Sequence, residues 1–91
     1  MKKTKRMNMK LKKNIALSES GFVFDPTTGD SYSLNQEARE VVRLMNEGKE
    51  LSQITDYMVS IYNVERNDFE KYFFDFTSML RQFRLLEDEQ D

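Results

Sequence analysis

At 91 residues, with 38% hydrophobic content, seven Phe and four Tyr, the chain has material for one modest core and not for two. It contains no Cys and no His, which excludes a disulfide framework, thiolate or imidazole catalysis and Cys/His metal sets. The net charge of −2 conceals a split: residues 1–13 hold seven Lys/Arg and no acid, and the remaining 78 carry seven bases against all 16 acids, a net of −9.

Residues 1–9 read as a basic, flexible N-terminal arm, with Met7 and Met9 as further in-frame starts. Lys10–Leu17 reads as a first strand, with Leu11, Ile15 and Leu17 on one parity and Lys10 and Lys12 on the other. Ser18–Gly21 makes a turn, and Gly21–Asp25 a second strand in which Phe22 and Phe24 alternate around Val23. Asp25-Pro26-Thr27-Thr28-Gly29 is a turn by composition, since Pro26 presets φ and Gly29 accepts the left-handed position. Asp30–Leu34 is the third strand. Leu11, Ile15, Leu17, Phe22, Phe24, Tyr32 and Leu34 are expected to form the apolar face of this sheet.

Three helices follow to cover that face. Gln36–Glu47 repeats apolar residues at Ala38, Val41, Val42 and Met45, with Asn35 as N-cap and Gly48 as stop. Leu51–Tyr62 places Leu51, Ile54, Met58 and Ile61 on one side. Arg66 to Arg84 spaces Phe69, Phe73, Phe76, Leu80 and Phe83 by 4, 3, 4 and 3, and Leu85 and Leu86 fold back onto the core. The expectation is an α+β, winged-helix-like fold, a three-stranded antiparallel meander followed by three helices (βββααα). It spans residues 10–86 and ends in a solvated acidic tail, 87–91.

The order of elements, Tyr32-Ser33-Leu34-Asn35 stepping into the first helix, Gly48, Leu51-Ser52-Gln53-Ile54, Tyr62-Asn63-Val64 and the long third helix resemble the PqqD-like family. These are small peptide chaperones, and the same module serves as the recognition element for ribosomally made, modified peptides. The resemblance covers residues 10–86. Two positions depart from it: Glu50 stands where Ser or Thr is usual, and Arg84 where a helix-ending Gly is frequent. It implies that the leader segment of a precursor peptide adds as a strand beside Asp30–Leu34, packs on the third helix, and is presented to a radical or ATP-dependent modifying enzyme.

The residues bear on that mode independently. Asp30, Ser31, Tyr32, Ser33 and Leu34 include neither Lys nor Pro, so this edge would be open to a partner strand, whereas Lys10, Lys12 and Lys13 would protect the other edge. Phe74 stands roughly 140° from Phe69 on the third helix, off its core stripe. With Glu70, Thr77 and Arg81, and with Phe73 beside it, Phe74 is expected to wall the groove. Packing under the first helix or in a homodimer contact is the other reading of Phe74, and a plain core position is the other reading of Tyr32. The Asp25/Asp30 pair flanks a turn without a pocket, so a non-catalytic binder is expected, with no cofactor. A winged-helix DNA-binding protein is the alternative, disfavoured by four acids against four bases from Glu65 to Arg84. A plain interaction or dimerisation module is the other. No apolar run approaches the roughly 18 residues of a membrane span, which with the charge content fits the cytoplasm.

Overall fold

The structure is a computed structural model that describes the backbone of residues 7–90 and the side chains of residues 9–87. Positions 1–6 of the expected flexible arm lie outside the described residues, and positions 7–9 are corrected from arm to strand. Eight elements follow in order: β1 (Met7–Leu11), β2 (Ala16–Leu17), β3 (Phe22–Asp25), β4 (Asp30–Ser33), α1 (Gln36–Asn46), α2 (Leu51–Ile61), α3 (Arg66–Gln82) and β5 (Leu86–Gln90). The antiparallel meander β2-β3-β4 and the three helices match the expected order. The first strand does not. Instead of one strand over Lys10–Leu17, the chain turns at Lys12–Ile15, where the Ile15 N–H donates to the Lys12 carbonyl at 3.0 Å.

The turn sends β1 to a different partner. It pairs antiparallel with β5, setting Lys10 opposite Glu87 and Leu11 opposite Leu86, and Lys12 N–H donates to Leu85 O at 2.9 Å. The Leu11 N–H donates to Asn46 Oδ1 at 3.0 Å, tying this ribbon to the end of α1. Leu11, Leu85 and Leu86 are buried, as a pair folding back was expected to be. The segment read as a solvated tail thus begins as a strand.

Inside the meander the pleat decides the core. Val23 pairs with Tyr32, Phe24 with Ser31 and Phe22 with Ser33. Val23 is 1% exposed, while Phe22 and Phe24 are 52% and 43% exposed. The expected apolar face is corrected here: Ile15, Leu17, Tyr32 and Leu34 pack against the core, and the two Phe turn outward. Side chains alternate along a strand, so once Tyr32 faces in, its partner Val23 must too, whatever the size of its neighbours. Gly21 sets this register. Its φ is +93°, its carbonyl accepts from Leu34 N–H at 2.8 Å, and a Cβ there would stand 3.1 Å from the Leu34 oxygen. Asp25, also inward, is buried with Oδ1 accepting from the Thr27 N–H at 2.9 Å, closing the turn into β4.

The helices form where the periodicity places them, although Ile61, expected on the apolar side of α2, is 49% exposed. Asn35 caps α1 by accepting the Ala38 N–H at 2.8 Å. At the other end Gly48 N–H donates to Met45 O and Lys49 N–H to Leu44 O, the paired bonds of a Schellman close. Gln53 Oε1 accepts the Glu50 N–H at 2.9 Å and the Glu50 side chain accepts the Gln53 N–H, so the second helix starts on a capping box. Ala38, Val41, Val42, Met45, Ile54, Met58, Phe69, Phe73, Phe76 and Leu80 make one core. No helix among the described residues is long and apolar enough to cross a membrane.

The end of α3 departs from the usual residue while keeping the usual geometry. Arg84 has φ +62°, its N–H donates to Arg81 O, and Leu85 N–H donates to Leu80 O, both at 2.9 Å. This is the same Schellman close, with Arg in the position glycine favours. A non-glycine residue there costs about 1 kcal/mol. Arg84→Gly should therefore raise the thermal midpoint by about 4–8 °C, measured by circular dichroism. Conversely, Phe76 is buried and its ring stacks on Tyr72 at 5.7 Å. Phe76→Ala should cost about 3–5 kcal/mol in a urea melt, and an unchanged midpoint would place Phe76 outside the core.

Candidate functional site

The meander has two edges, and they differ. β2 is only two residues long, and short edge strands resist pairing. The lysines expected to guard this edge are not on it; Lys10 belongs to β1 and Lys12 and Lys13 to the turn. β4 is the other edge. Because the Leu34 N–H points to β3, the two-residue alternation turns Tyr32 and Asp30 the same way. Ser31 and Ser33 then direct their N–H and C=O groups away from the sheet, and both residues are exposed. Among the described residues no strand pairs with that edge.

Beside this edge runs an apolar cleft of about 190 Å³ between β4 and the last turns of α3. Val23, Tyr32, Ser33 and Leu34 line it from the sheet, and Met79, Leu80, Phe83 and Leu85 from the helix side. The Tyr32 and Phe83 rings stack with centroids 5.1 Å apart, forming one end. Met79 and Phe83 are 40% and 44% exposed, an uncommon degree of exposure for large apolar side chains lying side by side next to a strand edge. Partial burial, then the carboxylates of Asp30 and Asp25, push the Tyr32 phenol above its ordinary value, so it stays protonated well past neutral pH.

The structure brings together only part of the residue set singled out in the sequence. Tyr32, Ser33 and Leu34 line the cleft, and Asp30 and Ser31 continue the same strand. Phe73 and Thr77 are core: Phe73 is 2% exposed, and Thr77 Oγ1 is occupied by the carbonyls of Phe73 and Phe74 at 3.0 and 3.2 Å. Glu70, Phe74 and Arg81 lie on the flank of α3 away from β4, where Arg81 Nη2 reaches Met9 Sδ of β1 at 3.6 Å. The expected wall is corrected to Met79 and Phe83. A signal for it was present: Tyr72, Phe76, Met79 and Phe83 recur at spacings 4, 3 and 4, a second stripe beside the core stripe, within about 60° of arc.

That stripe leads to a second concavity of about 380 Å³, lined by Glu37, Met58, Tyr62, Asn63, Val64, Phe69 and Tyr72. Tyr62 and Tyr72 both have raised pKa values, first from desolvation and then from the Glu37 carboxylate. The helix itself has no positive face. α3 holds three bases and three acids, and Arg66 is paired with Asp56.

The model of the family described as coenzyme PQQ synthesis protein D (PqqD) matches residues 21–86. The chain belongs to the PqqD family. The matched segment runs from Gly21 through the buried pair Leu85-Leu86, so it contains β4, α3 and the cleft between them. Two solved structures share the PqqD-type fold seen here. One, lasso peptide synthetase B1 complexed with the leader peptide, superposes with a TM-score of 0.80 at 23% identity, over 88% of this chain and 98% of that one. The other, TbiB1 in complex with the TbiA(beta) leader peptide, gives 0.76 at 26% identity, over 86% and 94%. No curated protein matches the chain.

Proposed function

We propose that this PqqD-family chain is a non-catalytic binder of the leader segment of a ribosomally synthesised precursor peptide, which it presents to a modifying enzyme in the cytoplasm. The observation that carries the reading is the free β4 edge, with Ser31 and Ser33 turned outward, lying alongside the apolar cleft to α3. An extended peptide placed there gains main-chain hydrogen bonds from the strand and a pocket for its inward side chains. Both similar solved structures hold a leader peptide, which supports the same cargo here. A short segment that must order itself on binding is held at about micromolar strength, suited to hand-over.

Titration of labelled protein with a cognate leader peptide should shift the amides of Ser31, Ser33, Met79 and Phe83 while leaving β2 almost unmoved. Shifts confined to β1 or α2 would overturn the proposal. Ser33→Pro removes an outward donor without breaking a bond to β3, and should lower affinity at least about tenfold with the fold retained.

The flank of α3 gives a separate test. Phe83→Ala or Met79→Ala should weaken leader binding by about 1–3 kcal/mol. Phe74→Ala, measured by the same anisotropy titration, should change it little. The reverse order would return the groove to the Glu70, Phe74 and Arg81 flank.

A further inference from the structure

The outer face of the meander carries the wrong chemistry for solvent. Its strand residues are Ala16, Phe22, Phe24, Ser31 and Ser33, with no charge among them. An antiparallel sheet with one face on the core ordinarily presents polar side chains on the other. Here the two phenylalanines of that face, Phe22 and Phe24, are 52% and 43% exposed. Single exposed apolar residues are unremarked on most surfaces, but two on one strand and one face form a patch.

The register connects that patch to the peptide edge. Phe22 is opposite Ser33 and Phe24 opposite Ser31, both in the non-hydrogen-bonded pairs where facing side chains approach most closely. An antiparallel strand added beside β4 sets two of its own residues opposite Ser31 and Ser33, bonded through the outward amides. Their side chains share the face of the serines, and hence of the phenylalanines. The residue between them, opposite Tyr32, points into the cleft. Neighbouring strands lie about 4.8 Å apart, so the outward side chains start roughly 10 Å from those of β3, with only serine between. A long or aromatic side chain leaning over each serine closes that distance onto a phenylalanine ring. A large residue at position 31 or 33 would block it.

We infer that the bound peptide is read on both faces: its cleft-facing residue by Tyr32, Met79 and Phe83, and its two flanking, outward residues by a shelf made of Phe22 and Phe24 over Ser31 and Ser33. The ligand class is an extended peptide with large apolar side chains on either side of its cleft residue. The inference rests on the strand-addition reading above and adds a specificity surface to it.

The probe is a phage-displayed library of random twelve-residue peptides selected on the full chain, keeping clones that fail to bind Ser33→Pro. Retained peptides should carry Leu, Met, Phe or Tyr at the two positions flanking the cleft residue. Their affinity, by fluorescence anisotropy, should fall at least about tenfold for the Phe22→Ser/Phe24→Ser double variant. Both substitutions are at exposed positions, and an unchanged thermal melt confirms that the fold is intact. Retained peptides that bind the double variant within twofold, or show no preference at the flanking positions, would overturn the shelf and leave strand addition standing. A double variant that turns a dimer into a monomer in sedimentation, with peptide affinity unchanged, would assign the patch to self-association instead. If no clone depends on the β4 edge, strand addition fails and the shelf falls with it.

Discussion

The register between β3 and β4 is the constraint on which the rest of the molecule depends. The Leu34 N–H meets the Gly21 carbonyl at 2.8 Å, in a space that a side chain at position 21 would crowd. From that contact the alternation runs without freedom: Tyr32 and Val23 inward, Ser31, Ser33, Phe22 and Phe24 outward. A slip of one residue would bury the serines and expose Tyr32. It would also turn the outward amides from Ser31 and Ser33 to their neighbours. The cleft, the free edge and the aromatic outer face are therefore three consequences of one pairing.

α3 completes the arrangement by phase. Its core stripe, Phe69, Phe73, Phe76 and Leu80, anchors the helix over the sheet, and Met79 and Phe83 of the adjacent stripe then face β4. Phe83 sits at the end of that second stripe and stacks on Tyr32, half in the core contact and half in water. The Schellman close at Arg84 follows at once and turns Leu85 back into the cleft floor. Left-handed strain at Arg84 is small beside the burial of Leu85 and Leu86, at roughly 1.5–3 kcal/mol for each such side chain. The position consequently tolerates an arginine.

The β4 edge and its cleft present main-chain donors and acceptors and apolar side chains. The tyrosines that approach them are raised in pKa by desolvation first and by nearby carboxylates second, and so remain neutral phenols. The second concavity, at Tyr62 and Tyr72, opens beside Phe76, on which the Tyr72 ring stacks.

Local signals in the sequence determined the helices, the caps of the first one, the turn from Asp25 to Gly29, the bare composition of the Asp30–Ser33 edge and the family. Each of these depends on residues within a few positions of one another: Asn35 with Ala38, Asp25 with Thr27, apolar residues three and four apart. Tertiary structure alone decided three things. It broke the first strand, because β1 finds its partner some 75 residues away in β5 and nothing local announces such a pairing. It turned Phe22 and Phe24 outward, because period two gives two faces and only the cross-strand partner says which is inside. It chose the Met79 and Phe83 flank over that of Phe74, because helical periodicity orders residues around an axis and leaves to packing which side meets the strand.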